Sequence, residues 1–262
     1  VTSSQAEERP GGLRLAIDGE VATVSLRRPE RRNAMTPAMW HGLADIGASL
    51  PTQVRVVVVR GDGPSFCAGI DLNLLTGTGA DAGDDERIAS PNDQDFDQKV
   101  AGYQAGYLWL RDPGIVSIAG VQGHAIGAGF QLALACDLRI LSEDAKLCMK
   151  EPALGLVPDL TGTKPLVDIV GLPRAIELCL TARTVTAAEA LLLRLAELVV
   201  PAAELDAAVA DLVAALLATD AAAARATKAL LQQAGGRSLT EQAAEERRVQ
   251  AELIRSRGRS SP

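Results

Sequence analysis

Three glycines, Gly123, Gly127 and Gly129, stand between an apolar run at 115–121 and a run of helix formers at 130–136. A strand that ends in glycines and enters a helix can turn its backbone N–H groups toward a ligand, and the helix dipole adds partial positive charge there. The chemistry suited to such a point is the holding of an oxyanion or a phosphate. A tight strand–helix turn that merely needs small residues would read the same way. The dinucleotide fingerprint is missed, since Gly127-Ala128-Gly129 runs on into Phe130-Gln131-Leu132 without a third glycine. A second glycine turn, from Gly61 through Gly63 and Gly69 to Asp71, follows a second apolar run at 54–59. Upstream of both lies Arg27-Arg28-Pro29-Glu30-Arg31-Arg32-Asn33. That stretch is either a solvated charge run or a cradle for phosphates.

Composition narrows the classes of function. The 262 residues suffice for one large domain with a substantial core. A formal charge of −7 argues against a general nucleic-acid binder. No stretch approaches the roughly 18 apolar residues of a membrane span. The first residues, VTSSQAEERPGG, lack the apolar centre of a signal peptide. Cys67, Cys136, Cys148 and Cys179 are scattered without a C-x-x-C pair, which predicts buried, reduced thiols in a cytoplasmic protein. With only His41 and His124 available, a histidine-based metal site is not expected.

The elements that must position the turns follow from the pattern. Residues 1–12 read as a disordered tail. Leu13, Leu15 and Ile17 alternate with polar or small residues, Asp18-Gly19 turns the chain, and Ala22, Val24 and Leu26 alternate again, which predicts a hairpin. Thr36-Pro37 opens a helix with Met39, Leu43, Ile46 and Leu50 on one face. The valines at 54–59 suit a strand buried on both sides. Residues 76–98 predict a long loop and 100–110 a helix that ends before Asp112-Pro113. A short strand at 137–141 and a structured loop at 146–163 come next. Pro173 and Thr186 open helices, the latter with a capping box to Glu189, and 198–200 is a last strand. Strands alternating with helices argue for an α/β fold over 13–200. From Pro201 the chain is helical and alanine-rich, with Leu205, Val209, Leu212 and Leu216 on one face, a second helix at 221–233 and a third capped at Ser238. This segment, 201–262, is expected to pack on a neighbouring subunit.

In this order, SFCAGIDL at 65–72 and GHAIGAGFQLALACD at 123–137 resemble the paired turns of the crotonase superfamily, the enoyl-CoA hydratases and isomerases. The resemblance runs from Leu13 into the C-terminal helices. It implies a spiral of repeated ββα units with a helical C-terminal segment, assembled as trimers or dimers of trimers. It also implies an acyl-CoA partner and no separate cofactor, coenzyme A being part of the substrate. Each turn would donate one backbone N–H to the thioester oxygen, from Ile70 and from Ala128, with Ala68 and Gly127 beside them against the substrate. Arg27, Arg28, Arg31 and Asn33 lie where the resemblance puts the adenine and phosphates of a bent CoA, and Lys228 lies in the later helix from which a neighbouring subunit often helps.

The residues around the second turn bear on the reaction. Hydratases of this family carry two glutamates, which hold and deprotonate a water and deliver a proton. Here the first position is Gln131, an amide that can hold a water but cannot exchange a proton at neutral pH. The second, Glu151, is kept. Asp159, eight residues on, matches the acid of dienoyl-CoA isomerases, although it also reads as a turn residue after Pro158. The leading expectation is an enoyl- or dienoyl-CoA isomerase using Glu151, with Asp159 as a second acid. A hydratase with Asp159 as its relocated acid and a non-catalytic acyl-CoA-binding protein are the alternatives.

Overall fold

The computed structural model describes residues 5–76 and 94–259. Its frame is a seven-stranded sheet in the order β1-β2-β3-β4-β5-β7-β10. The strands are β1 (Gln5–Arg9), β2 (Leu13–Asp18), β3 (Val21–Leu26), β4 (Val56–Gly61), β5 (Val116–Val121), β7 (Leu138–Ser142) and β10 (Leu198–Val200). The hairpin expected around Asp18-Gly19 is present, with Leu13 opposite Leu26 and Ile17 opposite Ala22. From β3 onward the pairings are parallel. The expectation of a disordered tail over 1–12 is corrected here. Gln5–Arg9 adds an antiparallel edge strand, with Glu7 opposite Leu15. Its polar sequence hides it, because an edge strand needs backbone partners more than apolar side chains.

The valine run works as a strand buried on both faces, and its two faces serve two cores. Val57 and Val59 join the main core with Met39, Leu43 and Ile46 of α1 (Pro37–Ser49). Val56 and Val58 face the other way, with Ile118 and Ile140, under Leu205 and Val209 of α8 (Leu205–Leu217). Helix α1 starts as expected, with the Thr36 hydroxyl accepting from Met39 N at 3.2 Å. It packs along α3 (Phe96–Leu108), which begins four residues before the expected helix. Between β4 and α3 lies the short α2 (Leu72–Thr76). Most of the expected 76–98 loop lies outside the described residues.

A second, three-stranded sheet has the order β6-β8-β9. Strand β6 (His124–Ile126) sits inside the glycine motif, where the sequence had suggested only a turn. It pairs parallel to β8 (Lys146–Cys148), which in turn pairs antiparallel to β9 (Val185–Thr186). The loop expected at 146–163 therefore begins as a strand and passes through a 3-10 turn at Glu151–Leu154. Helix α4 (Ala128–Ala135) leaves the motif fully buried. Beyond the loop come α5 (Thr163–Val170), which the pattern did not show, then α6 (Leu172–Thr181) and α7 (Ala187–Leu192). Thr186 caps α7 through Glu189 N. Helices α9 (Ala221–Ala234) and α10 (Leu239–Arg259) complete the chain, α10 opening on the reciprocal box of Ser238 and Glu241.

Candidate active site

The two glycine turns are brought side by side. Cys67 N donates to His124 O at 2.8 Å and Ile126 N to Cys67 O at 3.0 Å, so the first turn runs along β6 as a short parallel ladder. On its other side it is bracketed by Met35, whose N donates to Gly69 O at 2.7 Å and whose O accepts from Asp71 N at 2.9 Å. This leaves Ile70 N pointing away from Met35. Neither Ile70 N nor Ala128 N has an acceptor among the described residues. The contact is tight because Gly69 has no side chain. At φ +94 it lies where side chains are strained, and a Cβ built on it would stand 2.7 Å from Ile126 O and 3.9 Å from Ala128 N. Two such N–H groups on adjoining turns, one at the first residue of a helix, are of the kind that can hold an oxyanion.

Glu151 borders this pair. It opens the 3-10 turn, and its side chain is buried at 9% exposure. A Cβ built on Gly127 would lie 3.1 Å from Glu151 Oε1 and 3.6 Å from Oε2. Gln131, one helical turn beyond Gly127, donates from Nε2 to Glu151 Oε1 at 2.6 Å. The orientation of that amide is fixed from behind, because Gln131 Oε1 accepts from Leu160 N at 2.9 Å and from Gly162 N at 3.1 Å. The other carboxylate oxygen, Oε2, is buried and has no hydrogen-bond partner among the described residues. Burial pushes the Glu151 carboxyl above the ordinary range. Hydrogen bonds from the local backbone and from Gln131 oppose this, and the negative charge of Asp159 adds to it. Asp159 itself is exposed, and its carboxyl is likewise raised by partial desolvation.

The expected CoA contacts fare unevenly. Asn33 is corrected to a framework residue. It is wholly buried, donates to Asp62 O at 2.9 Å and to Ser65 O at 2.8 Å, and accepts from Arg28 N at 2.8 Å. Its amide ties the basic loop to the first glycine turn. Arg28 and Arg31 fork onto Asp71, each at 3.0 Å. Burial works against Asp71 ionising, but hydrogen bonds from Arg31 and Arg28 outweigh it and hold the carboxyl below its usual range. Arg27 pairs with Asp62 at 2.9 Å and with Glu8. The arginine stretch is thus partly neutralised by the fold, while Arg32 is exposed and has no side-chain partner among the described residues. Ala68 is half-buried on the first turn, its N–H donating to Arg32 O at 2.9 Å.

Lys228 is held by the core of its own chain. Its ammonium donates to Asp112 O at 2.8 Å, Ile115 O at 2.6 Å and Asp137 Oδ2 at 2.7 Å. Those acceptors flank the start of β5, whereas the glycine turn leaves the other end of that strand, so Lys228 pins α9 to the core and stands away from its own chain's site. The thiols are packing groups. Cys67, Cys136 and Cys148 are buried, and burial lifts Cys67 and Cys136 to about 12. His124 meets Ser65 Oγ at 3.2 Å, and burial together with nearby Arg32 and Lys146 lowers its pKa below the usual imidazole value. Sequence reasoning missed Tyr107, Trp40 and Met35, which form a buried polar cluster beside Ala128. The one available signal was that Tyr107 is one of just two tyrosines in a chain with 3% aromatics.

The chain is similar to known proteins over most of its length. The sequence model of the enoyl-CoA hydratase/isomerase family matches residues 16–261. The peroxisomal Delta(3,5)-Delta(2,4)-dienoyl-CoA isomerase of Arabidopsis thaliana is 34% identical over 182 residues, covering 68% of this chain and 64% of that protein. The chain therefore spans somewhat less than two thirds of this curated relative. A crystal structure of a Thermobifida fusca YX protein, provisionally assigned as an enoyl-CoA hydratase, superposes with a TM-score of 0.91 at 61% identity, covering 96% of this chain and 95% of that one. Its complex with acetoacetyl-CoA gives 0.89 at 60% identity, over 94% and 96% of the two chains.

Proposed function

The chain belongs to the enoyl-CoA hydratase/isomerase family of crotonase-fold enzymes, and from that premise we propose that it moves a double bond in an enoyl- or dienoyl-CoA thioester, with Glu151 as the proton carrier. One observation carries the choice of isomerisation. Gln131 donates to Glu151 at 2.6 Å, so an amide clamps the carboxylate from the position where a hydratase of this family carries its other carboxylate. The Gln131 amide cannot take or give a proton. What remains at these two positions is one carboxylate, whose Oε2 is unengaged among the described residues, beside the two N–H donors.

For a 3-enoyl thioester the steps balance without water. Oε2 of Glu151 removes a proton from C2, whose acidity comes from the adjacent thioester carbonyl. The C2 electron pair delocalises into the carbonyl, and the negative charge on the thioester oxygen is held by Ile70 N–H and Ala128 N–H. Each such donor is worth about 2.7–4 kcal/mol in the transition state. Glu151, now protonated, returns the proton to C4, and the double bond shifts from C3–C4 to C2–C3. A 3,5-diene must be reprotonated further along the chain, and Asp159 is the group proposed to serve there. No cofactor takes part beyond the coenzyme A of the substrate.

Acyl-CoA as the ligand class is supported by the Thermobifida complex with acetoacetyl-CoA. The provisional hydratase assignment of that relative favours a second reading, water addition with Asp159 as the second acid. The test of the leading reading is Glu151→Gln. It is expected to lower turnover by about 10²–10⁴-fold while binding of a saturated acyl-CoA, followed by calorimetry, stays within a few-fold of wild type. Turnover that survives this change at the wild-type rate would remove Glu151 from the chemistry.

A further inference from the structure

The buried cluster of Tyr107, Trp40 and Met35 touches both turns of the oxyanion hole at once. Tyr107 lies on α3, fully buried, and its hydroxyl is 3.1 Å from Ala128 O and 2.9 Å from Met35 Sδ. Trp40 Nε1 on α1 lies 3.2 Å from the Tyr107 oxygen and 3.1 Å from the same sulfur. A carbonyl oxygen is a better acceptor than a thioether, so the phenol proton goes to Ala128 O and the indole N–H donates to the phenol oxygen. The indole N–H polarises the phenol, and the phenol in turn holds the peptide that follows Ala128. Met35 completes the connection, since its backbone brackets Ile70 through Gly69 O and Asp71 N.

We propose that Tyr107 is a positioning residue for the oxyanion hole, fixing the Ala128 donor through the peptide that follows it and the Ile70 donor through Met35. It touches no reacting atom in this account. Burial holds its phenol far above the usual range, so at neutral pH it is a fixed hydroxyl donor and not a base. The cost of leaving Ala128 O without this partner would fall on the orientation of the first turn of α4, where the donor sits. Misplacing an aimed donor by a fraction of an ångström weakens it where charge develops. The inference rests on the oxyanion reading of Ile70 and Ala128, and the experiment separates the two.

The experiment compares wild type with Tyr107→Phe, which removes the hydroxyl and keeps the ring. Butanoyl-CoA labelled with 13C at the thioester carbonyl is bound to each, and the carbonyl stretch is read by difference infrared spectroscopy. Wild type is expected to lower the stretch relative to free ligand, and Tyr107→Phe to lose a substantial part of that shift. Turnover should fall by about 10-fold, less than for an outright lost donor, with KM nearly unchanged. A general packing defect would not move the carbonyl stretch selectively. Trp40→Phe leaves the phenol in place and should give a smaller loss in the same direction, which keeps the test open should Tyr107→Phe fail to fold. A full wild-type shift in Tyr107→Phe, or in Trp40→Phe if only that variant folds, overturns the role of the cluster. Absence of any shift in wild type would instead overturn the oxyanion hole itself.

Discussion

The reactivity proposed for Glu151 is set by the two residues that face it. Gln131 anchors one carboxylate oxygen and is itself anchored by two backbone donors, so it acts as a rigid clamp. Burial and the charge of Asp159 both raise the Glu151 carboxyl. A base must be ionised to work, so kcat/KM should fall as the pH drops through this raised value, above the roughly 4.3 of an unperturbed glutamate. Asp159→Asn removes a neighbouring negative charge and is expected to move that acid limb to lower pH. Gln131→Glu does the opposite. The new carboxylate would meet Glu151 at hydrogen-bond distance, the two would share a proton, and the limb would move up. A pH profile of kcat/KM for the three proteins checks the order. A limb that stays fixed in both variants would mean that Glu151 is not the titrating base.

At the scale of elements, the site depends on two turns packed closer than side chains permit. Gly69→Ala would drive its Cβ to 2.7 Å from Ile126 O, a backbone atom that cannot swing aside, at an unfavourable φ. The expected result is a loss of about 1–3 kcal/mol in stability and a fall in turnover of order 10² as the donors separate. Ile70→Ala, next door, keeps the N–H and should retain most of the activity. Denaturant unfolding and steady-state kinetics on the pair check this, and a fully active Gly69→Ala would contradict the close-packed arrangement. Much of this was legible in the sequence. The hairpin, the valine strand, both glycine turns, the Thr36 and Thr186 caps and the Glu151 position could be read from local pattern and resemblance. What could not be read depends on contacts between distant residues. Asn33 looked like part of a basic loop, but its partners Asp62 and Ser65 lie in another turn. Lys228 finds its acceptors at Asp112, Ile115 and Asp137, and Tyr107 finds Met35 and Ala128. Strand β6 was hidden because only three residues of the motif are extended.

For the whole molecule, the described surface carries large apolar side chains that a single chain leaves uncovered, among them Leu180 at 71% exposure, Leu192 at 84% and Leu231 at 70%. Such faces suit packing on further copies of the chain, and we propose assembly into trimers or dimers of trimers. Sedimentation at micromolar concentration should give three or six chains, and a monomer would contradict it. The reaction is the property that everything else serves, and its direct measurement is product analysis in deuterated water. Trans-2-enoyl-, trans-3-enoyl- and 3,5-dienoyl-CoA are incubated with wild type and with Asp159→Asn. The account expects double-bond migration in wild type with no added oxygen, and a larger loss for the diene than for the 3-enoyl substrate in Asp159→Asn. Rapid water addition to trans-2-enoyl-CoA by wild type, abolished in Asp159→Asn, would contradict it and make Asp159 the second acid of a hydratase.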